Sequence, residues 1–152
     1  MSDPIDRRLG SAVRLFLQTN STLAALSIKL RDDDSVITPE SDAAKAPRII
    51  VDVSDTGRTA RYAPIRSLRV EILLRQNAKI AANTATAFAA LAGTLELLLD
   101  QANLTTALDS AALGVRVMLA TRQNGNMFRA DGDLRLQSWV LDVRAVKSEL
   151  TV

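Results

Sequence analysis

The sequence predicts an α+β fold: one domain in which an antiparallel four-stranded sheet packs against two main helices in the order α-β-β-α-β-β. Three observations carry this expectation. Apolar residues alternate in short runs, as in Leu68, Val70, Ile72 and Leu74, which is the period of a half-buried strand. Elsewhere they recur at helical spacing, as in Ile5, Leu9, Val13 and Phe16. The chain of 152 residues has no internal repeat and no linker, so it is read as a single domain over residues 1–152 with one core.

The elements follow in order. Asp3 and Pro4 read as the cap and first residue of a helix, since the carboxylate accepts unpaired N–H groups and proline needs no donor there. The helix weakens at Asn20-Ser21-Thr22, although Leu23 and Leu26 can extend its apolar stripe. From about 31 to 47, Asp32-Asp33-Asp34, Pro39 and small residues leave little to bury, and a polar surface loop is expected. Arg48 to Val53 is rich in β-branched residues and forms the first strand. Asp55-Thr56-Gly57 is turn chemistry, and Ser67 to Arg75 is the second strand.

From about Lys79 to Asp100 the period becomes helical, with Ile80, Phe88, Leu91, Leu95 and Leu98 on one stripe. Ala81, Ala85, Ala89 and Ala92 form a neighbouring small-residue flank that packs on the sheet or meets a second subunit. Asn103 to Leu113 bridges back in one or two helical turns. Leu113, Val115, Val117 and Leu119 make a third strand. Asn124-Gly125-Asn126 and Asp131-Gly132-Asp133 are turn signals, with Met127, Phe128 and Arg129 between them as a hairpin tip. The last strand runs from about Leu134 to Lys147. Its parity slips between Leu136 and Trp139, which calls for a β-bulge near Ser138 or for burial that differs along the strand.

Composition narrows function more than any motif does. With no Cys and no His, triad and Cys-His catalysis, imidazole or thiolate zinc sites, disulfides and iron–sulfur clusters are excluded. No cofactor is expected, and the chain is read as not an enzyme. Basic residues exceed acidic ones by 19 to 17, too even a balance to advertise nucleic-acid binding. Lys occurs only at 29, 45, 79 and 147, and the remaining cations are Arg, whose planar fork suits carboxylates across an interface. Met1 to Pro4 does not open a secretory signal, and no apolar stretch reaches the roughly 20 residues that span a bilayer. A cytoplasmic, membrane-free protein is expected.

Candidate residues divide by chemistry. Asp32, Asp33 and Asp34 are the densest charge, but they lack the spaced ligands, central Gly and terminal Glu of a calcium loop, so solvation or an interface is the expected use. Asp131-Gly132-Asp133 supplies no further ligands and is a turn. Asp52, Glu71 and Asp142 are carboxylates on strands, for which cross-strand ion pairs with Arg69, Arg116 or Arg144 outweigh paired-carboxylate hydrolysis. Arg58, Arg61 and Arg66 precede a strand, and Arg122 and Arg129 flank the expected hairpin. Arg-bearing loops clasp neighbouring proteins or touch phosphates, and with Tyr62 standing alone among them, protein contacts are favoured.

The amphipathic first helix, the loop leading to Pro47-Arg48-Ile49-Ile50-Val51, the strand Leu68-Arg69-Val70-Glu71-Ile72, the Ala/Leu-rich helix and two closing strands with a polar tip together resemble the tail terminator and tail-to-head joining proteins of long-tailed bacteriophages. The resemblance covers nearly the whole chain and rests on element order, not on a short motif. The loop at Asp32 to Asp34 does not map onto the family. The resemblance implies a homohexameric ring that caps the tail tube and contacts the tail tube protein and a head completion or connector protein. DNA would pass through the lumen without sequence-specific binding, and the protein would be assembled in the host cytoplasm into the virion neck. Asp32, Asp33, Asp34, Arg58, Arg61, Arg122, Arg129, Ala85 and Ala89 are the interface or lumen candidates. Another neck or tail-tube component, a small nucleic-acid-binding module and a carboxylate-dependent hydrolase are the alternatives.

Overall fold

A first helix, α1 (Ile5–Gln18), buries Ile5, Leu9, Val13, Phe16 and Leu17, the stripe that its spacing predicts. It comes close to the strands it packs on: a side chain at Gly10 would place its Cβ 3.1 Å from Leu30 Cδ2. The helix does not run on through Leu23. Thr19 and Asn20 donate main-chain N–H groups to Phe16 and Leu17 carbonyls, and the Asn20 side chain accepts from Thr22 and Leu23 N–H. Asn20 thus caps a separate short helix, α2 (Ser21–Ala24), which turns the chain and buries Leu23 completely.

The computed structural model describes residues 5–30, 47–58, 65–79, 82–111, 114–123, 127–131 and 134–147. The strands are β1 (Ser27–Leu30), β2 (Arg48–Arg58), β3 (Arg66–Asn77), β4 (Val115–Arg122), β5 (Met127–Asp131) and β6 (Leu134–Lys147), with α3 (Ala85–Leu99) and α4 (Leu104–Ala111) between β3 and β4. The strands form a six-stranded sheet in the order β1-β2-β3-β6-β4, with β5 paired to β6 beyond the end of β4.

This corrects the expected four-stranded antiparallel sheet with two main helices. The sheet is mixed, because β1 lies parallel to β2, with Ser27 beside Arg48 and Leu30 beside Val51. The order among the described residues is α-α-β-β-β-α-α-β-β-β. β1 escaped the sequence reading because four residues give only two alternations, Ile28 and Leu30 inward, and these merge with the helical stripe before them. Met127 to Arg129 are not a hairpin tip but part of β5, which carries the edge onward past residues 124–126. β2 also continues through the expected turn, absorbing it as a bulge between Asp55 and Gly57.

The bulge expected near Ser138 is absent. β6 keeps unbroken register with β3 from Leu134 opposite Asn77 to Ala145 opposite Arg66. Trp139, Leu141, Val143 and Ala145 therefore face the helices, while Leu136 is buried on the opposite face. This is the alternative that the parity slip allowed, a strand buried differently along its length; a separate bulge lies in β4 between Val117 and Leu119, opposite Ala145 and Arg144.

Residues from all four helices join one apolar cluster with Ile49, Val51, Leu68, Val70, Ile72, Leu74, Trp139 and Leu141. Each fully buried Leu or Ile there contributes about 1.5–3 kcal/mol. At the end of this face the inward positions turn polar. Arg135 donates to Gln76 at 2.7 Å and to the Asn83 carbonyl at 3.0 Å, and Gln76 donates to the Thr84 carbonyl at 3.3 Å. This network holds the chain just before α3.

Candidate assembly interface

α3 starts at Ala85, not near Lys79, because Thr84 caps it: its side chain accepts from Ala87 N–H at 3.0 Å. Phe88, Ala92, Leu95 and Leu99 are buried, and Leu91 and Leu98 are half-buried. The opposite face presents Thr86, Ala89, Ala90, Gly93 and Leu97 to solvent, with Leu97 78% exposed. From Ala85 to Leu95 the helix has no charged residue, whereas solvated helix faces ordinarily carry charge. An added Cβ at Gly93 would meet nothing within 4 Å, so packing within the described chain does not account for a residue that costs a helix about 0.5–1 kcal/mol relative to Ala.

The acids of α3 cluster at its C-terminal end, where the helix dipole disfavours them. Arg122, at the end of β4, offsets this. It donates to Glu96 at 2.5 Å and also to Asp100. Burial lowers the Arg122 pKa, and the hydrogen bonds and charges of Glu96 and Asp100 more than reverse that, leaving it raised.

On the sheet face away from the helices, burial falls from one end to the other. Arg48, Ile50 and Leu136 are buried, whereas Arg69, Asp142 and Arg144 are exposed. At the exposed end a shallow groove of ≈320 Å³ is lined by Ser67, Leu119, Thr121, Asp142 and Arg144, among others. The β4 bulge beside it exposes Met118 at 52% and Leu119 at 42%.

The residues singled out from sequence do not form one site. Ala85 and Ala89 are exposed on α3. Arg122 is not a free interface cation, since it is committed to Glu96 and Asp100. Arg58 and Arg129 are strand residues, paired with Arg66 and Leu136 respectively. Asp32, Asp33, Asp34 and Arg61 lie outside the described residues. Of the strand carboxylates, Asp52 stands opposite Glu71, and Asp142 opposite Arg69. The cross-strand ion pair expected of such carboxylates is not made by Asp142, which accepts from Gln123 at 3.0 Å. The carboxylates thus lie spread along one sheet face, and of the three only Asp142 lines the groove.

The sequence gives no signal for Leu97 or Met118 as exposed residues, and Leu119, expected to share the buried face of Val115 and Val117, is exposed beyond the β4 bulge. In the sequence Leu97 is one of three consecutive leucines, and only the helix phase separates it from buried Leu95 and Leu99. Among the described residues no group of three or more Asp and Glu is placed to hold a metal, and no helix is long and apolar enough to cross a membrane. Comparison with protein-family models and with curated proteins gives no match.

Proposed function

We propose that this chain is a structural protein of a phage neck, a tail terminator that assembles head to tail into a ring, caps the tail tube and joins it to the head. The observation that carries the reading is the uncharged outer face of α3, continued at its C-terminal end by the exposed Leu97. A closed ring needs two different patches on each copy, so that one copy's first patch meets the next copy's second. The α3 face is one. The exposed Met118 and Leu119, on the bulged strand beside the groove of Thr121 and Arg144, are a distinct second one. Neither patch needs a bound cofactor, and the reading assigns the chain no catalytic role.

The test is the solution mass of the purified chain by light scattering over a range of concentrations, with negative-stain images, alone and with isolated tail tubes. The reading expects closed rings in the images or end-on capping of tubes. It expects both to be lost in Leu97→Glu while the circular dichroism spectrum and unfolding midpoint stay those of the unaltered chain. A chain that remains monomeric and leaves tube ends bare refutes it, as does a Leu97→Glu variant that assembles normally.

A further inference from the structure

The buried end of the outer sheet face holds two arginines on adjacent strands. Arg48 on β2 and Arg75 on β3 are direct cross-strand partners. Arg48 is only 4% exposed and Arg75 is half-buried. Among the described residues no carboxylate lies within ion-pair distance of either side chain, and neither side chain makes a hydrogen bond. Among the described residues the nearest acids along β2 and β3 on the same face, Asp52 and Glu71, are four residues further along their strands, about 13 Å away at the rise of a strand, with Ile50 and Leu73 between. Lys29, beside Ile50 on β1, adds a third half-buried cation to this end.

A desolvated cation beside a second cation is unfavourable unless an anion completes it. Burial first, and the Arg75 charge second, lower the Arg48 pKa. Among the described residues the same end also holds Ile50 and Leu136, buried, Leu73, half-buried, and Ser27 beside Arg48 on β1. A ligand here meets two planar forks of N–H donors in a largely apolar frame. Such forks match an oxyanion with several oxygens in one plane or around one centre. Charge selects within that class: one carboxylate neutralises one guanidinium, whereas a phosphate group near pH 7 carries about −1.5 to −2 and matches both.

We propose that Arg48 and Arg75 form a binding site for a phosphate group, either the free ion or a phosphate monoester. Arg48 is the buried, fixed arm and Arg75 the solvent-facing arm through which the anion enters. The site is independent of the assembly reading, since it lies on the face opposite α3 and at the other end from Met118 and Leu119.

The experiment is thermal unfolding of the full chain at constant ionic strength, exchanging chloride for inorganic phosphate, glycerol 3-phosphate or succinate, with ³¹P line-broadening of the phosphate probes as the direct readout. The proposal expects a saturable rise of the unfolding midpoint with inorganic phosphate and broadening of its ³¹P signal. Arg75→Gln weakens the affinity by about tenfold or more, and Arg69→Gln, an exposed cation on the same face, leaves it unchanged. Should Arg48→Gln fail to fold, Arg75→Gln still decides the matter, because Arg75 is half-buried and its loss creates no cavity. A response to glycerol 3-phosphate as well assigns the site to phosphorylated molecules, and a response to inorganic phosphate alone assigns it to the free ion. Equal midpoints in phosphate and chloride, a response to succinate alone, or an undiminished response in Arg75→Gln overturns it.

Discussion

The Asp109 carboxylate of α4 accepts the main-chain N–H of Val117 at 2.8 Å, so a helix side chain occupies a strand-edge donor. One turn earlier, Thr105 both accepts from Ala120 N–H at 3.0 Å and donates to Ala120 C=O at 3.3 Å. Among the described residues β4 pairs with β6 on one side only, and α4 seals these groups on its other side. Unpaired edges recruit foreign strands, and covering one with a helix is a recurrent remedy. Asp109→Ala leaves the Val117 N–H unmet, and its expected cost is about 1–3 kcal/mol by urea denaturation. Asp109→Asn keeps an acceptor and costs less. The Arg116–Asp109 ion pair, 3.6 Å long with Arg116 mostly exposed, adds little. Equal costs for the Ala and Asn variants would show that the edge bond is not what Asp109 contributes.

Gly114 sits at φ +77°, just before β4, and its carbonyl accepts from Arg8 Nη1 at 2.9 Å. An added Cβ would lie 2.5 Å from that same Nη1. Gly114→Ala therefore meets two penalties, a left-handed backbone of about 1–2 kcal/mol and displacement of the Arg8 side chain. The two separate in a double-mutant cycle: in an Arg8→Ala background the clash vanishes and only the backbone term remains, so Gly114→Ala costs less there. Additive costs would mean that Arg8 moves aside freely.

How much of this was legible depends on how many residues each element offers. α1, β3 and β6 were readable because each repeats its period several times, and their buried sets match the spacing. β1 has two inward residues and no period to speak of. The short helix that leads into it, capped by Asn20, shows in the sequence only as a weakening helix. The parity slip in β6 leaves two readings open, because alternation in one sequence cannot tell a bulge from a strand buried on both faces, and Leu136 is the second case. The site candidates fared unevenly for a similar reason. Ala85 and Ala89 were placed by helix phase, while Arg122 looks free in sequence because Glu96 and Asp100 are more than twenty residues away.

Trp139 is fully buried, and its indole N–H has no hydrogen-bond partner among the described residues. A desolvated, unmet donor costs about 1–3 kcal/mol. Trp139→Phe removes it, but also shrinks a side chain at the centre of the core. The terms oppose each other, and the variant is expected within about 1 kcal/mol of the unaltered chain, whereas Leu141→Ala next to it costs about 2–5 kcal/mol. Because Trp139 is the only tryptophan, unfolding of the Phe variant is followed by far-UV circular dichroism. A loss as large as that of Leu141→Ala would show that the indole is better satisfied than its geometry indicates.

Arg48 sets stability against binding. Its pKa is lowered by burial and then by Arg75, so the fold holds that proton less tightly than the unfolded chain does. For a base this sign means that the charged form destabilises the fold at every pH below the Arg range, and relief would come only at strongly alkaline pH. No pH dependence from Arg48 is therefore expected through neutrality. In chloride buffer free of phosphate, Arg48→Met removes the buried charge, keeps most of the volume, and raises stability by about 1 kcal/mol in urea. Arg48→Lys keeps the charge and gives no gain. Adding phosphate stabilises only the chain that retains Arg48, so the two unfolding curves converge or cross as its concentration rises. If Arg48→Met is destabilised in chloride by as much as a core truncation, the guanidinium is already compensated within the fold, and the case for an external anion fails with it.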